Sequence, residues 1–276
     1  EVTVATNGSS NVAQVATNLD ASTKYEYRLL QNDTNSEPEE FTTEDDIQLP
    51  NSGFEDWYTD SDGLPKPAKD ASSSFWDCGN VNYFGKHIMT TQNDETALGQ
   101  GSSVKMETQE TMKIIAAGNI FTGTFERDGM GGILTLGRNF ECRPNKLKGY
   151  YKYTSAKVSV SKGHLNEGED DLCSLYIALT DEQITVNTNK GIYFDPNSSA
   201  VIAYGSISDE ESKGADSFKE FTVDLEYKDL KRIPKYIIVV ASSSKYGDYM
   251  EGGKGSTMWL DDLELVYPKS MEEVRK

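Results

Sequence analysis

The chain is poor in basic residues. Its 276 residues include 27 Lys and Arg against 45 Asp and Glu, which gives a formal net charge of −18 at pH 7. Nucleic acids and anionic lipid surfaces are bound through basic patches. The composition therefore argues against both as the main partner, and leaves neutral ligands such as sugars, and divalent cations, as candidates.

Long apolar runs are also missing. The most apolar stretch, residues 236–241, is far shorter than the ~20 residues that a membrane helix needs. The opening residues, Glu1-Val-Thr-Val4, do not resemble a signal peptide. We therefore expect either a cytosolic protein or the mature form of an exported one, without membrane insertion.

Cysteine and histidine are scarce, with three and two residues. The cysteines form no C-x-x-C pair, and we interpret Cys173 as a small buried side chain because it alternates with apolar residues. The sequence has no P-loop, no H-E-x-x-H motif and no G-x-S-x-G motif. These absences argue against the common nucleotide-dependent, zinc-dependent and serine-dependent enzymes.

Short segments with alternating apolar and polar residues dominate the rest. They are residues 104–108, 172–180, 221–227, 236–241 and 258–267, separated by Gly, Asn, Asp and Ser. Many short strands without intervening helices predict an all-β fold, a β-sandwich of the jelly-roll type.

An acidic connector at residues 44–50 separates two predicted domains, 1–45 and 50–268. In the first, Tyr25 and Tyr27 alternate before a final Phe-Thr-Thr at 41–43. This pattern resembles the second half of a fibronectin type III or related immunoglobulin-like domain, which implies a partial domain of that kind. A plain β-hairpin appendage is the alternative.

The two ends of the larger domain carry carboxylates in unusual places. Glu55 lies in the opening N-S-G-F-E-D-W, and Asp261 lies in the closing strand between Trp259, Leu263 and Leu265, on a face that alternation makes apolar. This pattern resembles carbohydrate-binding jelly rolls, in which such positions often hold structural calcium. The resemblance implies a calcium site at Glu55 and Asp261; a hydrogen-bonded carboxylate without metal is the alternative.

Several further segments follow one another in a characteristic order. They are residues 116–123, 143–153, 242–256 and the closing strand. Together they resemble the putative carbohydrate metabolism domain family over residues 50–268, typical of exported proteins of gut-dwelling Bacteroidetes. This resemblance implies an exported carbohydrate-associated protein of the cell surface or periplasm, involved in polysaccharide utilisation and anchored through a segment outside this chain.

Sugars are bound by aromatic rings together with a few polar groups. Trp76 and Tyr83 lie in a polar, loop-like stretch and are predicted to form an exposed platform, whereas Trp259 is placed in the core. The full set of predicted carbohydrate-binding residues is Trp76, Tyr83, Trp57, Tyr151, Arg143 and Asp248. Arg143 could instead form an ion pair at the rim.

The function predicted from these features is non-catalytic glycan binding. One alternative is a glycoside hydrolase, which needs a pair of carboxylates, with Asp248 and Asp77 as first suspects. A structural or adhesive module that binds a protein partner at the cell surface is the other.

Overall fold

The computed structural model describes residues 19–31 and 34–268. Over these residues the chain forms β-strands and four single-turn 3₁₀ helices, with no α-helix. The 3₁₀ helices are Ala71–Ser73, Thr188–Lys190, Glu211–Lys213 and Gly247–Tyr249. None of the helices in this part of the chain has the length and hydropathy to span a bilayer.

The strands are short and fall into three groups along the chain. The first is β1 (Lys24–Tyr27), β2 (Leu30–Gln31), β3 (Thr34–Asn35) and β4 (Glu39–Thr42). The second is β5 (Tyr58–Thr59), β6 (Pro65–Lys66), β7 (Trp76–Asp77), β8 (Val81–Asn82), β9 (Lys86–His87), β10 (Thr90–Asn93), β11 (Ser103–Glu107), β12 (Gln109–Thr111) and β13 (Ile114–Ala116). The third is β14 (Asn119–Asp128), β15 (Gly131–Leu136), β16 (Arg138–Asn139), β17 (Lys146–Thr154), β18 (Ser174–Thr180), β19 (Ile184–Asn187), β20 (Val201–Ser206), β21 (Ala215–Asp224), β22 (Glu226–Tyr227), β23 (Tyr236–Ser242) and β24 (Thr257–Val266).

Two antiparallel sheets make up the larger part of the molecule. One has five strands in the order β10-β11-β24-β17-β21. The other has nine strands, in the order β19-β15-β14-β23-β18-β20-β22, with β7 beside β14 and β16 beside β23. The main hydrophobic core draws side chains from both sheets, among them Leu147 and Leu260 of the first and Leu175 and Val239 of the second. The fold is the predicted all-β sandwich.

Near the N-terminus, β1 pairs with β4 and β2 pairs with β3. Tyr25 and Tyr27 share one face, where both rings lie near Phe41, at centroid distances of 5.8 and 6.3 Å. The predicted domain boundary and the immunoglobulin-like character of residues 1–45 stay predictions, and residues 1–18 lie outside the described part.

The closing strand β24 departs from regular alternation. Opposite β17, the register shifts between Lys148 and Tyr150, and Asp262 adopts a φ of +47°. The side chains that enter the core are therefore Met258 and Leu260 before this bulge, but Leu263 and Leu265 after it. The prediction that Trp259 lies in the core is wrong: its ring is on the outer face, where Lys152 Nζ lies 4.4 Å from the ring centroid.

Candidate functional site

A groove of about 530 Å³ lies on the nine-stranded sheet. Along β23, Ile237, Val239 and Ala241 enter the main core, while Ile238 belongs to a second cluster with Phe121 and Leu136 on the opposite face. The groove is formed over this second face, and the hairpins β8–β9, β12–β13 and β14–β15 contribute to its walls. Its volume is within the range of small-molecule sites.

Asp248 supplies the negative charge of the groove. It lies on the 3₁₀ helix Gly247–Tyr249, directly after β23, and is the one carboxylate among the described residues that line the groove. Burial raises the pKa of its carboxyl to about 6. Within residues 19–31 and 34–268, no group donates a hydrogen bond to it, and the nearby Lys245 pairs with Asp209 instead, at 3.0 Å. The Asp248 oxygens are therefore available to a ligand.

Aromatic rings accompany this carboxylate. Tyr83, as predicted from its polar loop, lines the groove and is half-buried, with the Arg127 guanidinium 4.1 Å from its ring centroid. The sequence-based prediction missed Phe125 and Tyr176, which also line the groove. The signal for Tyr176 was present: it alternates with the buried Leu175 and Ile177, so it must point to the other face of β18.

Trp76 is not part of an exposed platform, and that prediction is wrong. Its side chain is only 1% exposed and belongs to the main core, with ring centroids 5.4 Å from Phe54 and 6.0 Å from Phe75. The indole N–H donates to the Pro50 carbonyl at 2.7 Å. The preceding serines are polar because they form a 3₁₀ helix capped by Asp70, after which β7 turns Trp76 inward.

Three other predicted sugar contacts lie outside the groove. Tyr151 is fully buried and donates its hydroxyl to the Glu211 carbonyl, so its ring cannot stack on a ligand and that prediction is wrong. Trp57 is half-buried against the main core. Arg143 pairs with Glu44, which is the rim ion pair that the sequence left open.

The predicted calcium residues lie close to one another at the bulge of β24. Asp261 is 2% exposed, and its carboxylate accepts a hydrogen bond from the Ala97 amide at 2.9 Å. Glu55 is exposed and accepts from the Ser102 amide at 3.0 Å. Burial raises the pKa of Asp261 to about 6, and the charges of Asp262 and Glu55 add to this effect. The described residues contain no group of three or more His, Cys, Asp or Glu side chains arranged for a metal.

Asp261→Asn is expected to stabilise the protein at pH 7.5. The pKa of Asp261 is higher in the folded state than in the unfolded chain, so its ionised form opposes folding above about pH 6, and this effect disappears as the pH falls towards 4. A gain of about 2 kcal/mol at pH 7.5 follows from the shift. Urea unfolding at both pH values measures it, and the exposed Asp262→Asn is the matched control. A gain that does not change between pH 7.5 and 4 would contradict the assignment.

The comparisons with known proteins agree with this architecture. The putative carbohydrate metabolism domain family matches residues 39–266. A crystal structure of a putative glycoside hydrolase from Bacteroides thetaiotaomicron aligns with a TM-score of 0.62 and 23% identity, over 90% of this chain and 80% of that one. A second, from Bacteroides vulgatus, aligns with a TM-score of 0.52 and 24% identity, over 64% of this chain and 77% of that one.

At these identities the two structures establish the fold alone. The curated proteins contain no significant match to this chain. The family match covers most of the sequence, from β4 to the end of β24, and so includes both sheets and every strand that lines the groove. The chain therefore belongs to the putative carbohydrate metabolism domain family.

Proposed function

We propose that this protein binds glycan in the groove of the nine-stranded sheet and does not cleave it. The observation that carries this proposal is the Asp248 carboxylate, which is desolvated, without a donor in the described residues, and placed in a groove with aromatic rings. A carboxylate can accept hydrogen bonds from two sugar hydroxyls, and the rings of Tyr83, Phe125 and Tyr176 offer apolar surface for the C–H faces of a sugar. Membership of a carbohydrate-associated family supports this choice.

The hydrolase alternative needs a second carboxylate near the first, at about 5–9.5 Å. Asp77, the other suspect, does not line the groove. It pairs with Lys66 at 2.7 Å and accepts hydrogen bonds from the amides of Cys78 and Phe125. Its contacts are those of a structural ion pair, and this favours binding over hydrolysis.

Asp248→Asn tests the proposal. Because it removes the charge and keeps the shape, we expect glycan affinity to fall about tenfold, from the loss of charge-assisted hydrogen bonds. A glycan array identifies the ligand, and calorimetry compares the variants. Asp224→Asn, an exposed carboxylate on β21 of the other sheet, is the control.

Three results would contradict the proposal. They are an array without retained glycan, equal affinities of the wild type and Asp248→Asn, and release of reducing sugar that Asp248→Asn abolishes. The last would support a hydrolase. Retention of a purified cell-surface protein in place of any glycan would support an adhesive module.

Calcium between Glu55 and Asp261 stays a proposal, supported by the elevated pKa of Asp261, since a bound cation would offset the charge that burial disfavours. Addition of 1 mM calcium should then raise the melting temperature of the wild type and not that of Asp261→Asn. Export to the cell surface or periplasm is also a proposal, and fractionation of the native host tests it.

A further inference from the structure

Three hairpin turns around the groove carry large apolar side chains that face solvent. Phe84, in the β8–β9 turn, is 93% exposed; Met112, in the β12–β13 turn, is 84% exposed; and Met130, in the β14–β15 turn, is 57% exposed. All three line the same groove. Single exposed apolar residues are common, but three at the tips of separate hairpins around one recess form a continuous apolar feature that needs a ligand or partner.

The backbone at two of these tips makes the choice of residue more informative. Phe84 has a φ of +51° and Met112 a φ of +50°, in the left-handed region that favours Gly or Asn. A large side chain there is disfavoured by roughly 1 kcal/mol or more. Folding alone would therefore select a small or polar residue at these turns, and the apolar side chains point to a role at the groove.

The floor beneath these tips is mainly apolar. Met89, Ile115, Leu134 and Val240 lie in the lining, whereas Asp248 and its neighbouring serines follow the end of β23. A bare sugar chain that filled the whole groove would place hydroxyls against methyl and thioether groups, where they would lose water without gaining partners. The lining thus suits a ligand with one polar part and one apolar part.

We infer that the ligand is a glycan with an apolar substituent, an acyl chain or an aryl group. The sugar contacts Asp248, and the substituent is enclosed by Phe84, Met112 and Met130. This inference rests on the proposed function and adds the class of glycan. The tips are not assigned to a lipid bilayer because they surround a recess of about 530 Å³, which a discrete substituent fills and a flat surface does not, and because the net charge of −18 opposes anionic lipids.

Methyl, octyl and phenyl β-glycosides of glucose, galactose, mannose and xylose are the probes, titrated by calorimetry below the micellar concentration. We expect the octyl or phenyl glycoside of at least one sugar to bind tenfold or more tightly than its methyl glycoside. In the triple variant Phe84→Ser, Met112→Ser, Met130→Ser this ratio should fall to below about two. Leu98→Ser with Ile233→Ser, which removes two exposed apolar residues outside the groove, should keep the ratio of the wild type. The octyl and phenyl arms separate acyl from aryl preference.

The outcomes separate this inference from the proposed function. Methyl and octyl glycosides of equal affinity, both weakened by Asp248→Asn, would overturn the inference and keep the glycan site. An octyl preference that Asp248→Asn does not affect would overturn the proposed function, and no binding of any probe would overturn both. Sedimentation of the wild type, but not the triple variant, with zwitterionic vesicles or as a self-associated dimer would assign the tips to a membrane or to a second copy instead.

Discussion

Trp76→Ala is expected to lower the free energy of unfolding by about 4 kcal/mol, which is the usual cost of removing a large aromatic side chain from a core. The change removes the contacts with Phe54 and Phe75 and leaves the Pro50 carbonyl without its donor. For a domain of this size the melting temperature should fall by roughly 10 °C. Thermal and urea unfolding followed by circular dichroism measures both quantities.

The matched control is Phe84→Ala, another aromatic truncation but at a side chain that is 93% exposed. It should change stability by less than about 0.5 kcal/mol. Below its melting temperature the Trp76→Ala protein should still bind ligand, since Trp76 does not line the groove. A Trp76→Ala protein as stable as the wild type would place this ring outside the core, against the arrangement described above.

The strands were predictable because alternation has a direct physical cause. Segments 172–180 and 236–241 correspond closely to β18 (Ser174–Thr180) and β23 (Tyr236–Ser242), where every second residue enters the core. The closing strand shows the limit of this rule. Alternation placed Trp259 and Leu263 on one face, but the bulge at Asp262 separates them. A bulge depends on the partner strand, so the pattern within one strand cannot reveal it.

The candidate site was predictable only in part. Tyr83 and Asp248 were named from their polar and glycine-rich loops, and both line the groove. The same loop criterion failed for Trp76, because the serines before it form a capped 3₁₀ helix on the surface while the next strand turns inward. The groove itself depends on three hairpins and two faces of one sheet, and this tertiary arrangement leaves no local sequence signal.

A second large effect is expected from Glu251→Ala. The Glu251 carboxylate is fully buried and accepts hydrogen bonds from the backbone amides of Lys162, His164 and Leu165, and from His164 Nδ1 at 3.0 Å. The imidazole of His164 also stacks on Tyr246, at a centroid distance of 4.4 Å. Truncation leaves several donors without an acceptor, and we expect a loss of about 3 kcal/mol, measured by urea unfolding at pH 7.

The pH dependence distinguishes the charge of Glu251 from its size. Burial alone would raise the pKa of this carboxyl, but the hydrogen bonds from the His164 side chain and from the three amides outweigh that effect and lower the pKa. A carboxyl with a lowered pKa in the folded state stabilises the protein above its unfolded pKa, about 4.3, and this contribution is lost as the pH falls through the folded value. The wild type should therefore be more stable than Glu251→Gln above pH 5, and the difference should shrink below pH 4.

Glu251→Gln keeps the volume and one acceptor oxygen, so it should lose less stability at pH 7 than Glu251→Ala does. Equal stabilities of all three proteins would show that the amides find water instead of the carboxylate. A Glu251→Gln deficit that persists unchanged at pH 3.5 would show that geometry, and not charge, holds the loop. Because Asp248 and Met250 of the groove directly precede Glu251 along the chain, loss of this anchor should also weaken ligand binding, while Asp224→Asn leaves binding unchanged.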